Sequence, residues 1–164
     1  MTTSPSLGNL MLSRSAEYAL RIMAYLALHS TGIPLRAKDI AEEINIPPAY
    51  LSKILRRMVT SKLLNATKGH KGGFVIARPS NEICFAEIFQ SIEKKSEQAS
   101  CVFGWDKCSD KHPCVLHNRW KEAKSAFERW SQTTTLADVQ KDMKVLEKVA
   151  IGGTLRDKIR KSRK

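Results

Sequence analysis

Cys101, Cys108 and Cys114 fall within fourteen residues, and His117 follows three positions after the last of them, a C-x6-C-x5-C-x2-H spacing. Thiolates and an imidazole are soft donors, so the set suits zinc or an iron–sulfur cluster and suits calcium or magnesium poorly. Pro113 marks the start of a long helix, which predicts Cys114 and His117 at i and i+3 on its first turn, their side chains on one face. The partial positive charge of a helix N-terminus favours a thiolate there. Cys101 and Cys108 belong to a polar, aperiodic stretch, which predicts a loop able to wrap around a shared centre. Three cysteines cannot all pair as disulfides. Cys84 stands apart, opens a helix beside Phe85, and reads as a small core residue. A Cys3His set is also close to the zinc fingers that bind single-stranded RNA, whose last gap is one residue longer. Zinc is the alternative occupant.

These donors must be held by a scaffold, and the pattern upstream predicts one. Ala19, Ile22, Met23, Leu26 and Ala27 recur at helical spacing and predict a helix over 15–29. A second helix is expected over 37–43, ending at Asn45, with Ile40, Ala41 and Ile44 inward. Ile46-Pro47-Pro48 forces a break whose second proline fits the first turn of the next helix. That helix, 48–61, turns Leu51, Ile54, Leu55 and Met58 inward and Ser52, Lys53, Arg56 and Arg57 outward. Two short helices joined by a tight turn, the second exposing hydroxyl and basic groups, make a helix-turn-helix. Two short strands, 63–67 and 73–77, then flank Lys68-Gly69-His70-Lys71-Gly72. A basic, glycine-rich hairpin tip in that place is a wing.

Beyond the wing, Phe85, Ile88, Phe89 and Ile92 predict a helix over 84–94. Leu116, Trp120, Ala123, Phe127 and Trp130 are spaced 4, 3, 4, 3, a narrow seam of the kind used between paired helices, and a homodimer is the expected use. The alternative is packing within the chain. Thr133-Thr134-Thr135 is expected to cap a last helix through Leu136, Val139 and Met143. The fold class predicted is mainly α: a winged helix-turn-helix DNA-binding domain plus a long dimerisation helix. The expected division is a disordered extension over 1–10, the DNA-binding domain over 11–80, the cysteine loop and dimerisation helices over 81–150, and a flexible basic tail over 151–164.

Charge agrees with a polyanionic partner. The 164 residues carry 28 Lys and Arg against 16 Asp and Glu, a formal +12. Half of that excess lies in residues 141–164. Double-stranded DNA is the expected partner, with Tyr50, Ser52, Lys53 and Arg56 on the helix and Lys68, His70 and Lys71 on the wing. Arg57 reads as a solvated surface residue. No apolar run approaches the ~20 residues of a membrane span. The first twenty residues lack a basic start followed by an apolar stretch, so a cytoplasmic protein with reduced thiols is expected. No P-loop, dinucleotide fingerprint, G-x-S-x-G or paired-histidine zinc motif is present, which argues against an enzyme with a small-molecule substrate.

With these residues in hand, the chain resembles the IscR/NsrR/CymR family of bacterial winged-helix regulators over about residues 11–140. The resemblance rests on Glu17-Tyr18-Ala19-Leu20-Arg21, Asp39-Ile40-Ala41-Glu42, Ala49-Tyr50-Leu51, the wing from Lys68 to Phe74, the three cysteines, and Thr135-Leu136-Ala137-Asp138. It implies a dimeric DNA-binding repressor whose Cys101, Cys108 and Cys114 hold an iron–sulfur cluster, [2Fe-2S] or [4Fe-4S]. The implied fourth ligand is His117, as in IscR-like members, with Glu17 from the partner subunit as the NsrR-like alternative. The implied signals are iron–sulfur status, redox stress or nitric oxide. A zinc-binding regulator and a cluster-free thiol-redox regulator on the same fold are the alternatives. The chain departs from IscR-like members in three places. Its first cysteine gap is longer, Ser52 replaces a glutamate, and Lys68 replaces a wing arginine.

Overall fold

The computed structural model describes residues 12–29, 32–69, 71–93 and 110–149, with side chains as far as Asp142. The expected extension over 1–10, the basic tail, Cys101, Cys108 and His70 lie outside the described residues. Six α-helices, a short 3-10 helix (Ser80–Glu82) and a two-stranded sheet are described: α1 (Arg14–His29), α2 (Ala37–Ile44), α3 (Pro48–Thr60), β1 (Leu64–Thr67), β2 (Gly73–Ile76), α4 (Phe85–Ile92), α5 (His117–Thr133) and α6 (Leu136–Val149). The class is mainly helical, as the periodicities require. No helix among the described residues is long and apolar enough to cross a membrane.

The first helix starts one residue earlier than its apolar stripe suggests, because the Ser13 hydroxyl accepts the Ala16 N–H at 3.1 Å and caps it. Its buried face is Ala16, Ala19, Ile22, Met23, Leu26 and Ala27. Asn45 ends α2 in the left-handed conformation (φ 53°), and Ile46 then drops into the core with its N–H on the Ala41 carbonyl. Pro47 and Pro48 open α3 as expected. That helix stops at Thr60 because Lys62 turns left-handed (φ 59°) and the Leu63 N–H folds back onto the Met58 carbonyl.

The wing strands pair antiparallel, Leu64 opposite Ile76 and Thr67 opposite Gly73. Leu35, just before α2, adds a third rung by exchanging both backbone hydrogen bonds with Phe74 (3.0 and 2.8 Å). Gly73 is required there, since a Cβ would sit 2.4 Å from the Leu35 carbonyl oxygen. Sequence periodicity does not reveal this third rung, which roots the wing on the helix-turn-helix.

One core runs through α1, α2, α3, the wing root at Leu63 and Leu64, then Ile83, α4 and Leu136. Fully burying each large aliphatic side chain contributes about 1.5–3 kcal/mol. Helix α4 ends at Ile92, two residues short of expectation, because Glu93 is extended. The α5–α6 junction is tied to the start of α4: the Phe85 N–H donates to the Thr134 carbonyl (3.0 Å) and the Leu136 N–H to the Ile83 carbonyl (2.9 Å).

Of the three threonines expected to cap α6, Thr133 and Thr134 complete α5 and Thr135 does the capping. Its N–H and hydroxyl both donate to one Asp138 carboxylate oxygen, at 2.9 and 2.8 Å. The Thr135 backbone and hydroxyl hydrogen bonds hold the Asp138 carboxyl below the usual carboxylate range. Because the folded pKa is the lower one, this cap contributes fully above the ordinary carboxylate pKa, declines as pH falls through it, and vanishes below the folded value. The thermal midpoint of Asp138→Asn should lie below that of the native chain at neutral pH, and the gap should close on acidification. A gap that widens in acid would contradict the cap.

Candidate nucleic-acid interface and cysteine site

The outer face of α3 carries Tyr50, Ser52, Lys53 and Arg56, all exposed. Opposite them, Leu51, Ile54, Leu55 and Met58 are buried, so the 3.6-residue period sorts the two sets. Ser52 donates its hydroxyl proton to the Pro48 carbonyl (2.9 Å), which leaves the oxygen's lone pairs facing outward. Tyr50 is 46% exposed, unusual for a large ring. Its ring edge meets Tyr18 of α1 at 5.8 Å, and the Arg21 guanidinium lies 6.0 Å from the Tyr18 ring centre. Neither α1 residue was singled out by sequence reasoning for this face. The only local signal was Tyr18 standing off the apolar stripe of its helix.

On the wing, Lys68 and Lys71 are exposed at either side of the tip. Gly69 (φ 101°) and the hydrogen bond from the Gly72 N–H to the Gly69 carbonyl (2.9 Å) close the turn. The α3 face and the wing tip each present exposed cationic side chains, with hydroxyl and aromatic groups beside those of α3, a chemistry suited to phosphates and base edges. Arg57 is exposed, as expected, and it also donates a 2.7 Å hydrogen bond to the Ile92 carbonyl.

At the cysteine site, α5 begins at His117 rather than at Cys114. Residues 114–116 form a turn, in which the His117 N–H donates to the Cys114 carbonyl (3.0 Å), and the first helical bond runs from Trp120 to Leu116 (2.9 Å). The expectation that Cys114 lies on the first helical turn is therefore corrected: the cysteine precedes the helix by three residues. Its thiol is free and half-buried. His117 is buried, 5% exposed, with its Nε2 at 2.9 Å from Asp110 Oδ1, and Lys121 Nζ meets the same oxygen at 2.8 Å. The lysine first, then the histidine, holds the Asp110 carboxyl below the usual range. Among the described residues, the partner of the imidazole is Asp110, on Nε2. Sequence reasoning missed Asp110 and Lys121, although Lys121 follows His117 at i+4.

Glu17 lies half-buried on the first turn of α1. Among the described residues, no hydrogen bond or ion pair links it to Cys114 or His117. Cys84 is half-buried and caps α4 in a box with Glu87, whose carboxylate also pairs with Arg78.

The seam of α5 divides. Phe127 stacks on Phe89 at 5.6 Å, and Trp130 meets the edge of Phe85 at 5.4 Å, so its C-terminal half packs within the chain. Leu116 and Trp120 are half-buried, Ala123 is exposed and Trp130 remains 41% exposed. Of the seventeen residues of α5, two are buried, His117 and Ser131.

A two-helix unit with a cationic outer face and a basic wing, carried on one core, defines a winged helix-turn-helix DNA-binding protein. The model of the Rrf2 family, iron-dependent transcriptional regulators, matches residues 12–142, and the chain belongs to that family. A helix-turn-helix transcriptional regulator of Mycobacterium tuberculosis is 30% identical over 128 residues, covering 78% of this chain and 80% of its own. The transcriptional regulator IscR of Xenorhabdus nematophila is 25% identical over 136 residues, covering 83% and 82%. The structure of CymR, the global cysteine regulator of B. subtilis, superposes with a TM-score of 0.68 at 23% identity, covering 79% of this chain and 95% of CymR. The protein is a transcriptional regulator.

Asp110→Ala should lower the thermal midpoint of the metal-free protein, because it removes the partner of a buried imidazole. Lys121→Ala, which leaves that partner in place, should move it much less. Equal shifts would place the stabilisation in the exposed ion pair instead.

Proposed function

We propose that this chain is an operator-binding regulator whose affinity for double-stranded DNA is set by an iron–sulfur cluster held by Cys101, Cys108, Cys114 and His117. The observation that carries the reading is the pairing of a free, half-buried Cys114 thiol with a buried His117 one turn later, at the end of the segment that supplies the other two thiols. Donor chemistry fits: a soft thiolate and an imidazole are cluster or zinc ligands. Family membership among iron-dependent regulators supports the cluster over zinc. When bound, a cluster would supply sensitivity to iron supply, oxidants or nitric oxide. Glu17 is the alternative fourth donor, reached only from a partner subunit.

A homodimer completes the reading. A seventeen-residue helix with two buried positions does not hold itself against water by the contacts described, and the half-exposed Trp130 marks the open side. A second copy on α5 places two recognition helices in successive major grooves about one turn apart. Lys53, Arg56, Lys68 and Lys71, with His70, contact phosphates or bases, and Tyr50 and Ser52 sit at the groove entrance. Only a difference in DNA affinity between loaded and empty protein gives regulation.

Anaerobically purified protein should be coloured and contain iron and sulfide, and Cys101→Ala should abolish the visible absorbance. A colourless protein with one zinc per chain would overturn the cluster. DNA affinity should fall steeply with salt, and Lys53→Ala or Lys68→Ala should each reduce the log–log salt slope by about one. An unchanged slope removes that residue from the interface.

A further inference from the structure

Beside the wing, one arginine is held in a fixed pose by a carboxylate and still has donors to spare. Arg36 immediately precedes α2, and its carbonyl accepts the first helical hydrogen bond, from the Ile40 N–H at 3.1 Å. Its Nε donates to Asp39 Oδ2 at 2.8 Å and its Nη2 to Asp39 Oδ1 at 2.9 Å. A guanidinium carries five N–H donors, and this grip uses two. Among the described residues Arg36 makes no other hydrogen bond, and its side chain is 67% exposed. As an exposed pair of residues three apart it adds little to stability. What it does is fix the direction of the free edge of the fork.

Backbone pairing puts that fork next to the wing. Leu35 exchanges both hydrogen bonds with Phe74, and antiparallel pairing then runs the chain from Leu35 to Arg36 as the hairpin runs from Phe74 back to Gly73. Arg36 therefore lies on the side of the rung that leads toward the wing tip. Leu35 packs against the core, and Arg36, next in an extended stretch of chain, turns outward. From Gly73 to the exposed Lys71 is two residues, at most about 7 Å of chain. Each strand of a DNA duplex offers a phosphate about every 3.4 Å of its axis. A wing laid on the backbone through Lys71 thus brings further phosphates of the same stretch past the start of α2. Net charge does not single out this place, since Arg36 and Lys38 face Asp39 and Glu42. The geometry of one guanidinium does.

We propose that Arg36, aimed by Asp39, is a further DNA-backbone contact that grips a phosphate beside those met by the wing. The inference rests on the reading that α3 and the wing meet double-stranded DNA, and it is independent of what the cysteines hold. The free N–H groups of the fork suit two oxygens of one phosphate. Such a contact carries no base information, so Arg36 sets affinity and the seating of the wing rather than sequence choice. Asp39 is a positioning residue, which touches the arginine and not the DNA.

The test uses the full chain, purified anaerobically in the same way for every variant, and a duplex that the wild type selects from random-sequence DNA. Dissociation constants are measured over a salt series for wild type, Arg36→Ala, Arg36→Lys, Asp39→Ala, the double alanine variant and Lys68→Ala. Arg36→Ala should bind about tenfold more weakly, the loss of one charge-assisted hydrogen bond. Its log–log salt slope should fall by about one. Arg36→Lys should keep the slope but recover only part of the affinity, because an ammonium cannot grip carboxylate and phosphate in one rigid fork. Asp39→Ala separates aim from charge. In the Arg36→Ala background it removes a negative charge near DNA and should tighten binding, whereas in the wild-type background it should weaken binding as the fork loses its direction.

A wild-type slope in Arg36→Ala, beside a Lys68→Ala that loses its unit of slope, overturns the proposal and leaves the interface reading standing. Unchanged slopes in both variants, or no affinity of the wild type for any duplex, remove the interface reading and the proposal with it. Tighter binding by Asp39→Ala in both backgrounds overturns the positioning role. Thermal midpoints lowered alike in Arg36→Ala and Asp39→Ala, with both slopes unchanged, assign the pair to the start of α2 alone.

Discussion

Helix α4 has two apolar surfaces to cover and only eight residues to do it with, and the arrangement of the other helices follows from that constraint. Ile88 and Ile92 belong to the core shared with α1 and α3, while Phe85 and Phe89 present aromatic faces to Phe127 and Trp130 of α5. Aromatic pairs in edge and stacked geometry add about 0.5–1.5 kcal/mol beyond their buried area, so the α4–α5 contact fixes an angle as well as a proximity. The hydrogen bonds from Phe85 to Thr134 and from Leu136 to Ile83 then lock the far end of α5 to the near end of α4. In a winged helix-turn-helix regulator this is a consequential joint. It sets how the long helix stands relative to the helix-turn-helix and the wing.

The winged helix-turn-helix was legible in the chain because its chemistry is local. Apolar residues at helical spacing, two prolines at a helix start, and glycines between short β-rich runs each act over a few residues. Elements α1, α2, α3 and both wing strands accordingly lie within a residue or two of where the pattern places them. What the pattern left out was contact between elements. Leu35 joining the wing at Phe74, and Arg57 reaching the Ile92 carbonyl, depend on residues 39 and 35 positions apart meeting in space. No local rule of spacing predicts either meeting.

The site at the head of α5 mixes the two kinds of information. The cysteine spacing and the histidine three residues after the last cysteine are read from residue types alone and point to soft-donor chemistry. The start of the helix was misplaced because proline is tolerated equally in a first turn and in the turn before it. Here Leu116, not Pro113, is the residue that precedes the first helical hydrogen bond. Asp110 and Lys121 come to His117 only because the helix begins late, which lets the preceding turn bring Asp110 back over its first residues.

The amino-acid order alone determined the class of fold, the exposed basic face of α3 and the basic composition of the wing tip. Each of these is written in residue type and short-range spacing. Tertiary structure decided which seam residues of α5 were used within the chain, which nitrogen of His117 meets Asp110, and that Arg57 would reach another helix. Those outcomes depend on where distant backbone groups with unmet hydrogen bonds and uncovered apolar faces come to lie, and only the packed chain specifies that.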